Sequence, residues 1–266
     1  MTAAKTKEEL SKEFSGIKYI LTSGMRSKLL LAMYENPKNL DELRNELKKP
    51  SATILHGLKE LENINLIKKV QKYYKLTSNG FLLTANMVKL IENWYTLNQS
   101  TLFWNSHDLS GIPDELLKNI YHLKNAEYVT STTSDLSNAF NTYIKLISKE
   151  KKLKIILPIY SENHLKHLIK LLNENKLKSL ELIVSEEILN SINENELFKK
   201  ELVNNKKVKI HCVEQRLKVF LTYSSEFMAL TLFFKDDHYD DSQILIAKDK
   251  NALKWAEDLN RKYKKR

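Results

Sequence analysis

The sequence predicts an α+β chain in which a small helix-and-hairpin domain is followed by a linker helix and a larger α/β domain, with a mixed sheet flanked by helices. Residues 39–76 read as two short amphipathic helices and then two strand-like runs. Residues 81–100 carry apolar side chains at helical spacing. From there on, strand-like and helix-like segments alternate, which is typical of α/β domains. We therefore predict three regions, 1–80, 81–100 and 101–266.

The first part of residues 39–76 has the pattern of a helix-turn-helix. Asn39 is suited to cap a first helix whose leucines recur at helical spacing up to Leu47. Pro50 supplies a φ angle suited to the start of a second helix. The apolar residues of this second helix share one stripe. The stripe predicts burial of Ile54, Leu55, Leu58 and Leu61.

The opposite face of the second helix presents small, polar and basic side chains. A helix lying in the major groove of DNA reads base edges through its early residues. We predict that this helix and the turn before it contact DNA through Lys48, Lys49, Ser51, Ala52, Thr53, His56 and Lys59. In this set we expect Ala52, Thr53 and His56 to read bases and the lysines to meet phosphates.

The second part of residues 39–76 predicts a hairpin with lysines along both strands and a turn near Lys72. Such a wing lies along a phosphate backbone or in a minor groove. Its predicted DNA contacts are Lys68, Lys69, Lys72, Tyr73 and Lys75. Seven lysines stand between Lys48 and Lys75 against Glu60 and Glu62, a net charge of +5.

Charge and pattern coincide, which favours a winged helix-turn-helix that binds double-stranded DNA over a merely solvated lysine surface. A winged helix used only for protein contacts is the alternative.

After the hairpin, residues 81–100 predict a long amphipathic helix. Its apolar positions are Leu83, Met87, Leu90, Ile91, Trp94 and Leu97. This helix is suited to pair with its copy in a homodimer or to pack on its own chain, and the spacing does not separate the two.

In residues 101–266 seven apolar runs predict strands, at 127–131, 153–159, 180–184, 207–213, 217–223, 227–234 and 243–247. The intervening segments predict helices: one from near Asp135, one over 162–175, acidic helices up to about 204, and a last one over 251–264. The helix near Asp135 is expected to bury Leu136, Phe140, Tyr143, Ile144 and Ile147.

Composition limits the other classes of function. No apolar run is long enough for a transmembrane helix and the first residues lack one altogether, so a cytoplasmic protein without a secretory signal is expected. The one cysteine excludes an internal disulfide. No phosphate-binding glycine motif occurs, and no cofactor is expected. Glu162, His164 and His167 have metal-ligand spacing, but solvated side chains of a lysine-rich helix explain them better, and no metal site is predicted.

One string, FWNSHDLSGIPDELL at 103–117, is highly specific. With Pro158, residues 230–240 and residues 252–259, it resembles archaeal winged helix-turn-helix regulators that carry a methanogenesis-regulatory (filR-type) middle domain. The likeness spans nearly the whole chain. It implies a homodimeric transcriptional regulator of a methanogenic archaeon. The family tends to place an Asp-Gly turn ahead of Tyr239, and this chain has no glycine there.

The C-terminal half also resembles a phospholipase-D-like unit of the kind that some archaeal regulators use, without catalysis, to hold an effector. Active members need His-x-Lys followed by an aspartate, for attack on phosphorus and for binding of the phosphate charge. Here His164 and Lys166 are followed by Leu171 at the required position, and the run at His122 has Val129 there. No catalytic residue is therefore predicted, and the chain is expected not to be an enzyme. A phosphodiesterase or nuclease of this class is the alternative.

Two groups of residues are candidates for an effector site. Trp104, His107 and Asp108 form a polar and aromatic cluster, for which a purely structural role is favoured. Arg216 and Lys218 stand where the related enzyme fold carries its phosphate-binding group. An anionic small molecule is the effector that these two cations would suit.

Overall fold

The computed structural model describes residues 7–264. The chain divides into two compact units, Met1–Ile91 and Glu92–Arg266. Among the described residues there is no helix with the length and apolar character needed to cross a lipid bilayer.

The first unit contains five helices and a three-stranded antiparallel sheet in its described part. Its elements are α1 (Lys7–Leu21), α2 (Gly24–Ala32), β1 (Lys38–Asn39), α3 (Leu40–Leu47), α4 (Ser51–Asn63), β2 (Ile67–Val70), β3 (Tyr73–Leu76) and α5 (Ser78–Gln99), whose last turns belong to the second unit. The strand order is β1-β3-β2. Two helices, a turn and a hairpin follow one another as the sequence predicts, so the winged helix-turn-helix pattern is confirmed.

Local chemistry fixes both ends of α3. The Asn39 side chain accepts a hydrogen bond of 3.0 Å from the Glu42 N–H, and the Glu42 carboxylate accepts one of 2.7 Å from the Asn39 N–H. This reciprocal capping box satisfies donors that the first helical turn leaves unpaired. At the other end Lys48 adopts the left-handed conformation with φ 51°, which stops the helix before Pro50.

Tight packing under the wing determines where α5 starts. Strand β3 ends at Leu76, and α5 already begins at Ser78. The Thr77 N–H donates to the Leu66 carbonyl at 2.9 Å, and a Cβ on Gly80 would lie only 1.9 Å from that same oxygen. The close approach of α5 to this backbone therefore requires glycine at position 80.

The second unit contains, in its described part, a mixed sheet with helices on both faces. Its strands are β4 (His107–Asp108), β5 (Glu127–Thr130), β6 (Lys152–Leu157), β7 (Ser179–Ser185), β8 (Val208–Val213), β9 (Val219–Tyr223), β10 (Met228–Phe234) and β11 (Gln243–Ala247). Its helices are α6 (Thr101–Ser106), α7 (Asp114–Leu117), α8 (Asn138–Ile147), α9 (Glu162–Asn173), α10 (Glu186–Glu194), α11 (Glu196–Phe198) and α12 (Lys250–Lys264). The chain also forms a 3-10 turn at Ile120–Leu123 and a π-helical turn at Lys199–Val203.

The sheet has the order β5-β11-β10-β9-β6-β7-β8, and β4 pairs with β10. Strands β6, β7 and β8 are parallel, and the remaining pairs are antiparallel. The predicted mixed sheet is thus confirmed. One hydrophobic cluster packs α8, α9 and α10 on one face, and a second packs α7 and α12 on the other.

Two predicted burials are wrong. Leu55 is 43% exposed on α4, because the packed face of that helix includes Gly57 instead. Leu136 is 79% exposed, since α8 begins only at Asn138 and leaves Leu136 in the preceding loop. The short elements that were not predicted include α6, β4 and α7 of the second unit.

Candidate nucleic-acid interface and candidate effector site

Helix α4 is held on the first unit by three buried side chains, Ile54, Leu58 and Leu61, each at most 1% exposed. Between them lies Gly57. A Cβ at that position would lie 2.8 Å from Leu29 Cδ1 of α2, so the missing side chain permits close packing of the two helices. This contact fixes which face of α4 points outward.

The outward face of α4 carries the residues predicted to read DNA. Ala52, Thr53 and Lys59 are exposed, Ser51 is half-buried, and the side chain of His56 is 76% exposed. The surface that the prediction requires is therefore open to solvent within the first unit.

An acidic side chain on this helix is neutralised by its neighbours. Glu60 Oε1 lies 2.8 Å from Arg26 Nη1, accepts a hydrogen bond of 3.1 Å from the Tyr19 hydroxyl and lies 3.6 Å from His56 Nε2. Hydrogen bonding from Arg26 lowers the pKa of Glu60, although partial burial acts in the opposite direction. The carboxylate thus carries its own counter-charge and repels a nearby phosphate less than a free one would.

The turn between α3 and α4 presents two exposed lysines. Lys48 donates its N–H to the Arg44 carbonyl at 2.9 Å while its side chain points into solvent, and Lys49 follows directly. The left-handed conformation of Lys48 costs a non-glycine residue about 1–2 kcal/mol. Glycine would adopt this conformation with less strain than lysine. The presence of lysine therefore indicates that its charge has a function.

The wing places like charges against each other. Lys68 and Lys75 are direct partners across β2 and β3, an arrangement that destabilises an isolated hairpin. At its turn the Lys72 ammonium lies 5.7 Å from the Tyr73 ring centroid. Lys68, Lys69 and Lys72 are exposed, and Tyr73 and Lys75 are half-buried.

The lysines of the helix-turn-helix and wing share a further property. Among the side chains of residues 9–264, no carboxylate within 4.0 Å pairs with any of Lys48, Lys49, Lys59, Lys68, Lys69, Lys72 or Lys75. We call these seven residues the lysine surface. Its charge has no carboxylate partner among these described side chains, as expected for a surface that meets a polyanion.

The first group of candidate effector residues belongs to the packed interior of the second unit. His107 Nε2 lies 3.0 Å from Asp240 Oδ2, and both side chains are at most 1% exposed. Burial raises the pKa of Asp240, but hydrogen bonds from His107 and Ser242 outweigh it and hold this pKa below its usual value. The Trp104 indole N–H donates to the Tyr128 hydroxyl at 2.9 Å. These groups therefore satisfy one another.

The second group is neutralised by carboxylates. Lys218 Nζ lies 2.7 Å from Asp108 Oδ2 and 3.3 Å from Asp237 Oδ1, and Arg216 Nη1 lies 3.0 Å from Asp237 Oδ2. Hydrogen bonding from Lys218 and Ser110 lowers the pKa of Asp108 to about 2. Asp237 stands at the turn where the family tends to have glycine, and it keeps a left-handed φ of 71°. The two cations thus offer little net charge to an anion.

The structure instead contains a cavity of about 310 Å³ in the second unit that sequence reasoning missed. None of Trp104, His107, Asp108, Arg216 and Lys218 lines it. Of the residues that do, sequence reasoning had named Leu136, Phe140 and Tyr143 only as core positions of a helix, and His164 only as a weak metal candidate. The lining comes from separate helices, strands and loops, so no local spacing could have revealed it.

Two family models match this chain. Residues 14–94 match the N-terminal domain, and residues 136–266 the middle domain, of the family described as methanogenesis regulatory protein FilR1. A relative of that name from Methanothrix harundinacea (strain 6Ac) is 23% identical over 94% of this chain. The chain spans 57% of the length of that relative.

Solved structures show a more limited likeness. An archaeal chromatin protein, TrmBL2, described as showing a novel mode of DNA binding, is 12% identical and aligns over 90% of both chains with a TM-score of 0.40. The quinone-bound YodB of B. subtilis is 20% identical, aligns over 30% of this chain and 91% of its own, and has a TM-score of 0.28. Likenesses at these scores are partial and establish no shared function.

Proposed function

We propose that this chain is a sequence-specific, DNA-binding transcriptional regulator of the matched family, with an effector-sensing second unit and no catalytic role. The observation that carries the proposal is the lysine surface, which lies beside the exposed residues Ala52, Thr53 and His56. The family models support the regulatory role, because they match both the winged helix and the α/β part. The likeness to a phospholipase-D-like unit stays a prediction.

In the proposed complex α4 lies in the major groove and the wing follows the backbone. Thr53 and His56 donate or accept hydrogen bonds at base edges, and Ala52 contacts a thymine methyl group. Phosphates relieve the repulsion between Lys68 and Lys75, which the free protein leaves uncompensated. Binding is therefore expected to release counterions and to weaken steeply with salt.

The same proposal includes a homodimer. On α1 the exposed apolar residues Leu10, Phe14, Ile17 and Leu21 follow the 4-3-4 spacing of a coiled-coil seam. On α5, Leu90 and Trp94 are 60% and 67% exposed rather than packed. Two copies would pair recognition helices on half-sites about one helical turn apart. Sedimentation velocity is expected to give twice the 31.1 kDa of one chain.

The decisive measurement is fluorescence anisotropy with a labelled random duplex, repeated from about 50 to 200 mM salt. We expect binding at low salt and a loss of affinity in the double variant Lys48→Gln, Lys49→Gln, whose slope against the logarithm of salt falls by about 2. The matched control is Lys199→Gln, Lys200→Gln, an adjacent exposed lysine pair in the second unit, which should bind as the parent does.

Two outcomes contradict the proposal. A chain that binds no duplex at low salt acts through protein contacts, and the winged helix is then an interaction module. A chain that cleaves the labelled duplex is a phosphodiesterase or nuclease, despite the missing aspartate after Lys166.

A further inference from the structure

The cavity of the second unit lies beyond the carboxyl end of β6, where α9 begins. Its floor is formed by β9, β10 and β11, and the start of α8 covers it from one side. In sheets with parallel strands, ligands bind outside the carboxyl ends of strands. At about 310 Å³ the cavity is at the lower end of the range for small-molecule sites.

Aromatic rings form a continuous wall of this cavity. The His164 ring lies 4.9 Å from Phe140, 5.4 Å from Tyr143 and 5.2 Å from Phe220, measured between ring centroids. Phe220 in turn lies 6.1 Å from Tyr239. A ligand in the cavity therefore meets aromatic surface on one side, which attracts apolar groups and also cations, while polar side chains line much of the rest.

None of these rings carries a charge at neutral pH. Burial lowers the pKa of His164 to about 4, with a further contribution from nearby His167, and its Nδ1 lies 2.9 Å from Ser161 Oγ. Burial raises the pKa values of Tyr143 and Tyr239 well above their usual value. The Tyr143 hydroxyl is hydrogen-bonded to Thr222 at 3.1 Å.

One formal charge lines the cavity, and it is negative. Asp241 is exposed and has no ion-pair partner among the described residues, whereas the adjacent Asp240 is paired with His107. Within the described part of the chain no lysine or arginine lines the cavity, although the sequence has 43 of them and a net charge of +10. The other polar lining residues are neutral: Ser137, Ser161, Asn163, Thr222, Thr231 and Gln243.

We infer that this cavity binds a small organic cation, an alkylated ammonium compound, as the effector of the regulator. Its apolar groups lie against Phe140, Phe220 and the neighbouring rings, and its positive charge faces Asp241. Aromatic surroundings with an acidic group are the usual site for quaternary ammonium ligands. An anionic effector is disfavoured, because it would face Asp241 without any cation to pair with. The inference rests on the proposed function for the role of the ligand, but not for its binding.

The test is isothermal titration calorimetry of the full chain at neutral pH with chosen probes. The cations are tetramethylammonium, choline and benzyltrimethylammonium, which differ in size. 3,3-Dimethylbutan-1-ol is the uncharged isostere of choline, and benzoate and inorganic phosphate are the anions. We expect at least one cation to bind, and choline to bind about tenfold more tightly than its isostere, since cation–aromatic and carboxylate attraction act together.

Variants locate the binding. Asp241→Asn is expected to weaken choline binding about fivefold without changing that of the isostere, because only the charge is removed. Phe140→Leu should weaken both, since it removes a ring from the wall. The control Asp236→Asn removes an exposed carboxylate from the same loop but outside the cavity, and should change neither affinity.

Three results overturn the inference: none of the three cations binds, the isostere binds as tightly as choline, or an anion binds more tightly than the cations. Anisotropy with duplex DNA, measured on the same protein, keeps the two proposals apart. DNA binding without cation binding refutes the cavity assignment alone. Cation binding without DNA binding refutes the proposed regulator alone.

Discussion

The lysine surface of the first unit and the cavity of the second place charge in opposite ways. On the former, seven cations stand without acidic partners among the described residues, and the carboxylate of Glu60, on the same helix as Lys59, is held by Arg26. In the latter, no lysine or arginine is found among the described lining residues, and Asp241 has no ion-pair partner in the described part of the chain. The net charge of +10 describes neither region. The unpaired charges at a site therefore indicate the kind of ligand better than the net charge of the chain does.

Other charged residues of the second unit form ion pairs or hydrogen bonds with one another. Asp108, Asp237, Arg216 and Lys218 compensate one another at the surface, and Asp240 is hydrogen-bonded to His107 in the interior. Such groups fix loops to the sheet and leave no charge for a ligand. A basic pair next to a strand is therefore a weak indication of an anion site until its partners are known.

The largest expected effect is a loss of stability in the first unit that leaves the cavity of the second unit intact. Gly80→Ala should destabilise the first unit by about 3 kcal/mol, because the added Cβ would meet the Leu66 carbonyl at 1.9 Å and a backbone atom cannot easily move aside. Denaturant unfolding followed by circular dichroism measures this loss. DNA binding should disappear while choline binding persists.

The matched control is Gly16→Ala, since a Cβ there meets nothing within 4 Å. It should be neutral or stabilise α1 by up to about 1 kcal/mol. If Gly80→Ala abolished choline binding as well, the two regions would not be separable, and the comparison between them would fail.

Much of the fold was predictable because its signals are local. The strands β6, β7, β9, β10 and β11 are rich in apolar residues, and their predicted limits lie within one or two residues of the observed ones. The capping box at Asn39 is contained within four residues. By contrast β4 has only two residues and exists because His107 and Asp108 pair with β10, more than 120 residues further on. No local pattern encodes such a pairing.

The candidate sites divide in the same way. The outward face of α4 was predictable because helical periodicity assigns burial and exposure together, and only Leu55 was misplaced. The cavity was not predictable, because Phe140, His164, Phe220 and Tyr239 meet only once the sheet has formed. The unpaired state of Asp241 is likewise a property of the folded chain.

Lowering the pH should act on the cavity region and not on the lysine surface. His164 has a folded-state pKa of about 4 against an ordinary value of 6.5, so between these values the unfolded chain binds a proton that the folded chain does not. The free energy of unfolding is therefore unaffected by the protonation of His164 above about pH 6.5, and it decreases as the pH falls towards 4.

We therefore expect the free energy of unfolding of the second unit to fall by about 1–2 kcal/mol from pH 7 to pH 5. Urea unfolding at several pH values measures it. His164→Gln should flatten this dependence, and the control His56→Gln, in the first unit, should leave it unchanged. An equally steep dependence in His164→Gln would assign the effect to other groups.

The smallest expected effect concerns stability and function at one position of the wing. Lys75→Glu places a carboxylate opposite Lys68, so repulsion across the hairpin becomes attraction. The first unit should gain about 0.5 kcal/mol of stability. Affinity for duplex DNA should nevertheless fall about tenfold or more at low salt, because a phosphate contact is lost and a like charge is added.

Lys199→Glu makes the same change of charge at an exposed position of the second unit, and should alter neither quantity strongly. If Lys75→Glu stabilises the first unit and weakens DNA binding, the positive charge of Lys75 contributes to DNA binding and lowers the stability of the wing. If Lys75→Glu instead bound DNA as tightly as Lys199→Glu does, the wing would not contact the DNA backbone. The DNA-binding part of the lysine surface would then be limited to α4 and the turn before it.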